Sequence, residues 1–225
     1  MKISVVVPVL DEEKVLPAAL VRLAAAGFHE VLVVDGGSSD ASCALVRAAP
    51  FARLLQAPRG RASQLNAGAA AATGDVLLFL HVDASLPENA RALIGAALAD
   101  ARAVAGAFRT WHVADDGRSA PWLHLADLRS RYTGLPYGDQ AVFVRSAAFE
   151  QVGGYPSQAL MEDLELARRL QKLGRIARVP ASVRVSGRRF LAHPLRTALI
   201  MNTFPLLYRL GVSPQRLQSL YRNVR

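Results

Sequence analysis

The chain has almost no cysteine, since Cys43 stands alone among 225 residues. A single cysteine excludes an intrachain disulfide and any zinc site built on cysteine pairs, and it fits a reducing compartment. Long apolar runs are also scarce. Residues 3–7 are too short for the apolar part of a signal peptide, and residues 198–210 fall short of the roughly 20 residues that span a bilayer. We therefore expect a cytoplasmic protein.

Linkers and repeats are missing as well. No Ser/Gly/Pro-rich stretch divides the chain and no internal repeat is visible, while 52% hydrophobic and 20% charged residues are typical of a folded globular protein. The length suits one large domain with a full core. We expect a single domain over residues 1–225.

Acidic residues are missing from the C-terminal part of the chain. No Asp or Glu follows Glu165, whereas Lys172 and twelve arginines do, and the net charge is +9. Such a tail attracts phosphate, whether in nucleic acid, in lipid headgroups or in a phosphorylated substrate. Charge alone does not choose among these partners.

Buried-type apolar runs alternate with helical patterns over the first half of the chain. Strands are predicted at residues 3–7, 31–34, 53–56, 76–80 and 104–109, and helices at 15–27, 41–49 and from about 59 to 72, where Arg59, Arg61 and Gln64 are candidates for contact with an anion or else solvated surface residues. Repeated strand-turn-helix units predict an α/β fold with a Rossmann-like, doubly wound, mostly parallel sheet.

The central strand is predicted at residues 76–80, which are followed at once by His81-Val82-Asp83. A carboxylate at the carboxyl end of such a strand faces the crevice where open α/β sheets bind ligands. The alternative is that Asp83 caps a helix that begins after Pro87.

Two further segments bear on function. Gly36-Gly37 lacks the G-x-G-x-x-G spacing, which disfavours a dinucleotide-binding or methyltransferase site. Glu162-Asp163 opens a predicted helix, where the two acids are either functional groups or helix-capping groups. Residues 111–120 are predicted to form a surface loop.

The order of these landmarks is recognisable. Pro8-x-x-Asp-Glu12, Val-Val-Asp35-x-Gly-Ser-x-Asp40, Gly60-Arg-x-x-x-x-Asn66-x-Gly68 and Gly74-Asp-x-x-x-Phe79-x-x-x-Asp83 follow one another, and Gly138-Asp-Gln140, Gly153-Gly-Tyr155 and Met161-Glu-Asp163 come later. Taken together, they resemble the family 2 glycosyltransferases, which have the GT-A fold. Ser186-Gly-Arg-Arg-Phe190 and Gly211-Val-Ser-Pro214 are similar to a bacterial subgroup of small, single-domain members.

This resemblance implies a division of labour along the chain. Residues of about 1–110 would form the nucleotide-sugar half, 111–190 the acceptor half, and 191–225 a helical tail. The implied reaction is an inverting transfer from a nucleotide-diphosphate sugar to an acceptor hydroxyl, with Asp163 as general base and Glu162 beside it. The implied donor-binding residues are Pro8, Leu10, Glu12, Asp35, Arg61, Asp83, Asp139, Gln140, Arg188 and Arg189.

A divalent cation, Mg²⁺ or Mn²⁺, is the implied cofactor, with Asp83 as its ligand. The chain departs from the family pattern here, because His81 stands where many members have the first acid of Asp-x-Asp. His81 is therefore a candidate metal ligand or a residue that orients one. His193 is a lesser candidate, for contact with the metal or with phosphate. The second strand departs in the same way, since Gly36 replaces an acid that often follows Asp35.

Two other function classes remain as alternatives. A nucleotidyltransferase that makes nucleotide sugars shares the architecture, but its glycine-rich basic loop is missing from residues 8–12. A non-catalytic binding protein would use the basic C-terminal third. Nucleic acid is disfavoured because no aromatic-basic platform or helix-turn-helix pattern is present. Residues 190–210 could instead form an amphipathic helix pair on anionic lipid, giving peripheral contact with the inner face of the membrane.

Overall fold

The computed structural model of the chain describes residues 1–113, 134–187 and 194–222. In these ranges no helix is both long and apolar enough to cross a bilayer. Arg188, Arg189 and His193 lie outside the described residues, as does most of the predicted 111–120 loop.

The first half of the chain consists of strand-helix units, as predicted. The elements are β1 Ile3–Val9, α1 Leu16–Ala26, β2 Glu30–Asp35, α2 Ser42–Arg47, β3 Ala52–Gln56, α3 Arg61–Ala71 and β4 Val76–Phe79. Gly27, with a φ of 61°, ends α1 in the left-handed conformation that glycine adopts readily.

The second half is less regular. Its elements are β5 Ala84–Ser85, α4 Ala90–Ala97, β6 Ala103–Val113, a 3₁₀ turn Gly138–Gln140, β7 Phe143–Arg145, α5 Ser146–Gln151, α6 Glu162–Leu173, β8 Arg175–Ser186, α7 Pro194–Arg209 and α8 Pro214–Arg222. The described strands form one sheet in the order β3-β2-β1-β4-β7-β6-β8-β5. β3, β2, β1 and β4 are mutually parallel, and β7 joins them antiparallel to β4. The predicted α/β, mostly parallel sheet is confirmed.

Cores lie on both faces of this sheet, which is why its inner strands are continuously apolar. In β1, Val5 and Val7 pack into one core together with α1. Val6, which points the opposite way, packs into the other core with Leu65 of α3 and Leu166 of α6. The carboxyl ends of these strands, where a ligand crevice is predicted, are therefore supported by packing on both faces of the sheet.

Two predictions about the second half need correction. Residues 111–113 are not loop but the end of β6, where Trp111, His112 and Val113 pair with β8. The long neighbouring strand β8 supplies their backbone partners, which the local sequence does not reveal. The helix pair predicted over 190–210 is a single helix in the described residues, α7, which continues through Pro205, and a second helix follows only at Pro214.

Candidate active site

The loops that follow β1 and β2 lie side by side, because the two strands are parallel neighbours. Asp11 N–H donates to Ser38 Oγ at 2.9 Å, and the Asp11 carboxylate accepts from Ser39 N–H at 2.8 Å. Glu12 N–H donates to Ser42 Oγ at 2.9 Å. The side chain of Asp11 thus stabilises the two loops, and its φ of 53° marks a sharp turn at this point.

Asp35 ends β2 and is 1% exposed. Its carboxylate accepts hydrogen bonds from Gly37 N–H at 3.0 Å and Ser38 N–H at 3.1 Å. Burial opposes ionisation, but the hydrogen bonds from Ser38 and Gly37 outweigh it and hold the pKa of Asp35 below its usual value. Asp35 is therefore a fixed, ionised acceptor at the carboxyl edge of the sheet.

Gly36 faces a buried side chain of α3. Gln64 Nε2 donates to Val9 O and to Val34 O, both at 2.8 Å, and so ties the end of β1 to the end of β2. A Cβ on Gly36 would come within 3.0 Å of Gln64. The missing second acid after Asp35 therefore has a packing cause, since Gln64 occupies the space that its side chain would need.

Asp83 lies in the turn that follows β4, half-buried, where Ala84 N–H donates to His81 O at 3.0 Å. It does not cap the next helix, because α4 begins only at Ala90 and is preceded by Asn89. Burial lowers the pKa of Arg22 on α1, and the negative charge of Asp83 acts against that shift. The structure thus favours a crevice position for Asp83 over the capping alternative.

Arg61, the first residue of α3, lies among several chemically active groups. Its Nη2 is 2.5 Å from His81 Nε2, and its Nε is 3.5 Å from Glu162 Oε1. Burial alone would lower the pKa of Arg61, but Glu162 and Asp163 raise it above its usual value. The Nε atom is buried, while the side chain as a whole is 35% exposed, so part of the Arg61 side chain reaches solvent.

The guanidinium of Arg61 lies directly against Gly138, so a larger residue at 138 would push it aside. A Cβ on Gly138 would overlap Arg61 Nη2. Since a guanidinium only donates hydrogen bonds, His81 Nε2 accepts in their contact. That nitrogen is consequently engaged by Arg61 rather than open to a cation in this arrangement.

Asp163 lies in the first turn of α6, half-buried. Its Oδ2 accepts Gly138 N–H at 2.8 Å, and its Oδ1 accepts Leu164 N–H at 2.7 Å. The second contact is the helix-end role that the capping alternative describes. The first contact is of another kind, because it ties Asp163 to the loop that carries Asp139.

Glu162 precedes it and is buried, with 6% exposure. Burial raises the pKa of Glu162, Arg61 acts against this rise, and the neighbouring Asp163 adds to it. The two adjacent acids therefore differ in setting: Glu162 is enclosed against Arg61, and Asp163 is more open. Of the pair, Asp163 is the better placed to meet a substrate.

The 3₁₀ turn 138–140 presents Asp139 beside these acids. Gln140 Oε1 accepts Tyr137 N–H at 3.0 Å and Gln140 N–H donates to Tyr137 O at 3.0 Å, so the Gln140 side chain closes the turn. Asp139 Oδ2 is 3.9 Å from His112 Nε2 on β6. His112 did not emerge from the sequence as a site residue, and its only signal there is the alternation of β6, which turns it inward.

Asn66 has a structural role that explains its place in the Gly-Arg-x-x-x-x-Asn pattern. Its Nδ2 donates to Tyr155 O at 2.8 Å, and its Oδ1 accepts Tyr155 N–H at 2.9 Å. Tyr155 also packs edge-on against Phe79 of β4, with ring centroids 5.0 Å apart. This clamp holds the loop before α6 against α3 and therefore fixes where Glu162 and Asp163 lie.

The described site residues thus fall into two groups. Pro8, Leu10, Glu12 and Asp35 lie along the ends of β1 and β2, and Arg61, His81, Asp139, Glu162 and Asp163 gather beyond β4. A cavity of about 400 Å³ is lined by residues of β6 and β8 and by Gln140, the neighbour of Asp139 in the chain; Arg109 and Arg178 are among its lining residues.

The described residues contain no cluster of three or more His, Cys, Asp or Glu side chains that would enclose a metal ion. Asp83, in the turn after β4, is the carboxylate at the position where the family resemblance implies a metal ligand. One carboxylate fits a Mg²⁺-type ion that takes most of its other ligands from phosphates and water. His81 fits less well, because Arg61 engages its Nε2.

The chain matches the sequence profile described as "Glycosyl transferase family 2" over residues 4–150. Among curated proteins, an "Undecaprenyl-phosphate 4-deoxy-4-formamido-L-arabinose transferase" of Sodalis glossinidius is 37% identical over 98 residues, and proteins of that name from Yersinia pestis are 36% identical over the same length. The match takes in 38% of this chain and 30% of the relative, so the chain spans less than a third of the protein it resembles.

Solved structures share the fold. S. aureus TarS 1-349 in complex with UDP superposes with a TM-score of 0.66 at 21% identity, covering 92% of this chain and 66% of that one. The same protein in complex with UDP-GlcNAc gives 0.65 at 20% identity, covering 83% and 58%. A mycobacterial protein gives 0.58 at 20% identity, covering 82% and 65%.

Proposed function

The chain belongs to glycosyl transferase family 2, and from this premise we propose that it transfers a sugar from a nucleotide diphosphate to an acceptor hydroxyl with inversion. The observation that carries the proposal is the cluster around Arg61. Carboxylates from two separate segments, Asp139 on one and Glu162 and Asp163 on the other, act on this guanidinium at the end of the central strand. Membership of the family also sets aside the nucleotidyltransferase alternative.

Nucleoside binding is assigned to the ends of β1 and β2. Asp35 is held ionised by Gly37 and Ser38 and would accept hydrogen bonds from the base or the ribose. Pro8 and Leu10 are half-buried beside it and would supply apolar contact, with Glu12 at the margin. The complexes of TarS with UDP and UDP-GlcNAc, on the same fold, support a nucleotide-sugar donor.

Diphosphate binding is assigned to Asp83, Arg61 and the pair Arg188-Arg189. Asp83 would hold a divalent cation, Mg²⁺ or Mn²⁺, whose contribution is to offset the charge that develops on the leaving diphosphate. The arginines would donate charge-assisted hydrogen bonds to the same oxygens.

Asp163 would act as the general base. The acceptor oxygen attacks the anomeric carbon on the side opposite the diphosphate, the new C–O bond forms as the bond to the nucleoside diphosphate breaks, and the acceptor proton passes to Asp163. A single displacement of this kind inverts the anomeric centre. Gly138 N–H holds Oδ2 at 2.8 Å and Leu164 N–H holds Oδ1 at 2.7 Å, so the carboxylate has a fixed orientation, and each oxygen keeps a further lone pair for the acceptor proton.

A phosphate acceptor is the second candidate, and the curated relatives favour it because they are named as undecaprenyl-phosphate transferases. A phosphate monoester is already largely ionised at neutral pH, since its second pKa is about 6. It would therefore attack without a general base. The two candidates differ in what they require of Asp163.

Thermal-shift measurements with UDP-, GDP- and dTDP-sugars, with and without Mn²⁺, test the donor assignment. A ligand at a hundredfold excess over its Kd stabilises the folded state by about 2.7 kcal/mol, which corresponds to roughly 5–10 °C for a domain of this size. We expect one nucleotide series to give such a shift and Asp35→Asn to reduce it. No shift with any nucleotide sugar at millimolar concentration would contradict the proposed function.

A further inference from the structure

Two leucines of α7 and a third directly after its last residue are exposed on one side of the helix. Leu199, Leu206 and Leu210 have 63%, 55% and 73% of their surface in solvent. Their spacing of seven and four residues places them on one side of a helix. Leu210 keeps this geometry beyond the end of α7, because its N–H donates to Leu206 O at 3.0 Å. We call these three residues the leucine face.

The opposite side of α7 is packed, so the leucine face is held outward. Phe204 is 6% exposed, and Tyr208 packs against a core that includes Leu164 of α6. The Tyr208 ring also lies 5.2 Å from the Arg168 guanidinium, close enough for a cation–π contact. The three leucines are therefore exposed even though α7 itself packs against the rest of the protein.

Positive charge accompanies the leucine face. Arg209 lies on the same helix and Arg216 on α8, and both are exposed. The sequence beyond Glu165 contains no Asp or Glu, so the formal side-chain charge of this part of the chain is positive. Apolar residues in line with an excess of arginine are what an interfacial helix presents to anionic lipid.

We propose that the leucine face, with Arg209 and Arg216, docks on an anionic lipid surface. A second copy of the chain fits this surface less well, because pairing would bring two acid-free, arginine-rich regions together without compensating charge. Anionic headgroups supply that charge, while the leucine side chains enter the boundary of the acyl layer. The inference does not rest on nucleotide binding, so it can be tested independently of the proposed function.

Sedimentation with lipid vesicles tests the proposal directly. We expect the protein to sediment with vesicles of phosphatidylglycerol and phosphatidylcholine at least tenfold more than with phosphatidylcholine alone, and less in high salt. The variant Leu199→Gln/Leu206→Gln/Leu210→Gln should lose at least tenfold in partitioning. Val21→Gln is the matched control, since Val21 is 71% exposed on α1, which packs on the other face of the sheet, and it should bind as wild type.

Three results would overturn the proposal: a triple variant that sediments like wild type, equal binding to neutral vesicles, or concentration-dependent dimerisation that the triple variant abolishes while vesicles bind neither protein. Melting curves of both variants check folding. If the triple variant does not fold, the single change Leu206→Gln replaces it, with an expected loss of at least threefold.

Discussion

Gln64 offers a direct test of how the nucleoside end of the crevice is built. Its Nε2 bridges Val9 O and Val34 O at 2.8 Å each, and the side chain is 5% exposed. The change Gln64→Leu keeps nearly the same volume against Gly36 but removes both hydrogen bonds. We expect it to destabilise the fold and to loosen the loops after β1 and β2.

The expected loss of stability depends on how many hydrogen bonds are removed and on whether each carbonyl oxygen retains another donor. A net hydrogen bond contributes about 0.5–1.5 kcal/mol to stability, so losing two costs roughly 1–3 kcal/mol. Val9 O also accepts Gly36 N–H at 3.0 Å, so it retains a partner, and the cost at this carbonyl lies at the low end of the range. The expected total is about 2 kcal/mol.

Urea unfolding of wild type and Gln64→Leu measures this difference, and Gln56→Ala is the control because Gln56 lies exposed on β3 of the same sheet. The control should change the free energy of unfolding by no more than about 0.5 kcal/mol. The variant should also show a smaller thermal shift with the nucleotide that stabilises wild type. A Gln64→Leu protein as stable as wild type would refute the bridging role.

Three further predictions concern the crevice. Asp83→Ala should abolish the part of nucleotide-sugar binding that EDTA removes from wild type, and calorimetry with and without Mn²⁺ that shows equal affinities would contradict the metal assignment. Replacing Arg188 and Arg189 together by Ala should lower donor affinity at least tenfold, because each charge-assisted phosphate contact is worth about 1.5–3 kcal/mol; an unchanged Kd would point to another role. Gly138→Ala should displace Arg61 and weaken donor binding in the same titration. Gly95→Ala is the control, because an added Cβ on Gly95 meets only Met1 Cε at an ordinary 3.8 Å, and it should bind the donor as wild type does.

The first half of the fold was predictable because its strands are buried on both faces and their helices end at clear signals. Val31 to Val34 of β2 is one apolar run, and Gly27 stops the helix before it. Position in the sheet then placed Asp35 and Asp83 at the carboxyl edge. These are local patterns combined with one topological rule.

The second half was harder to predict because its strands depend on distant partners. In β8, Val183 and Val185 alternate with Arg184, but Pro180 interrupts the pattern. The structure accommodates this proline at an irregularity in the pairing, where Ala107 pairs with Arg178 and the next pair is Arg109 with Ser182. Such a register shift cannot be deduced from either strand alone.

Supporting residues were the least predictable part of the site. From the sequence, Gln64 is a candidate anion contact at a helix start, and Asn66 is only part of the Gly-Arg-x-x-x-x-Asn pattern. Their bridging roles follow from contacts with residues 9, 34 and 155. Arg61 was expected, from the family resemblance, to bind the donor. Its contacts with His81 and Glu162 join segments that are far apart in the chain.

Turnover of Asp163→Asn is the measurement that tests the central claim most directly. The donor is the nucleotide sugar identified by thermal shift, and release of nucleoside diphosphate reports transfer to a hydroxyl acceptor or to water. Glu165→Gln is the control, since Glu165 lies in the same helical turn and pairs with Arg169 at 3.3 Å. Donor Kd is measured separately for each protein.

If Asp163 is the general base, Asp163→Asn should lower turnover by about 10²- to 10⁴-fold while donor affinity stays within a few-fold, because Asn keeps the shape and cannot accept the proton. The control should keep near-normal turnover. An Asn variant with near-normal turnover would contradict the account, because it would leave Asp163 as a helix-end residue and favour an acceptor, such as a phosphate, that needs no base.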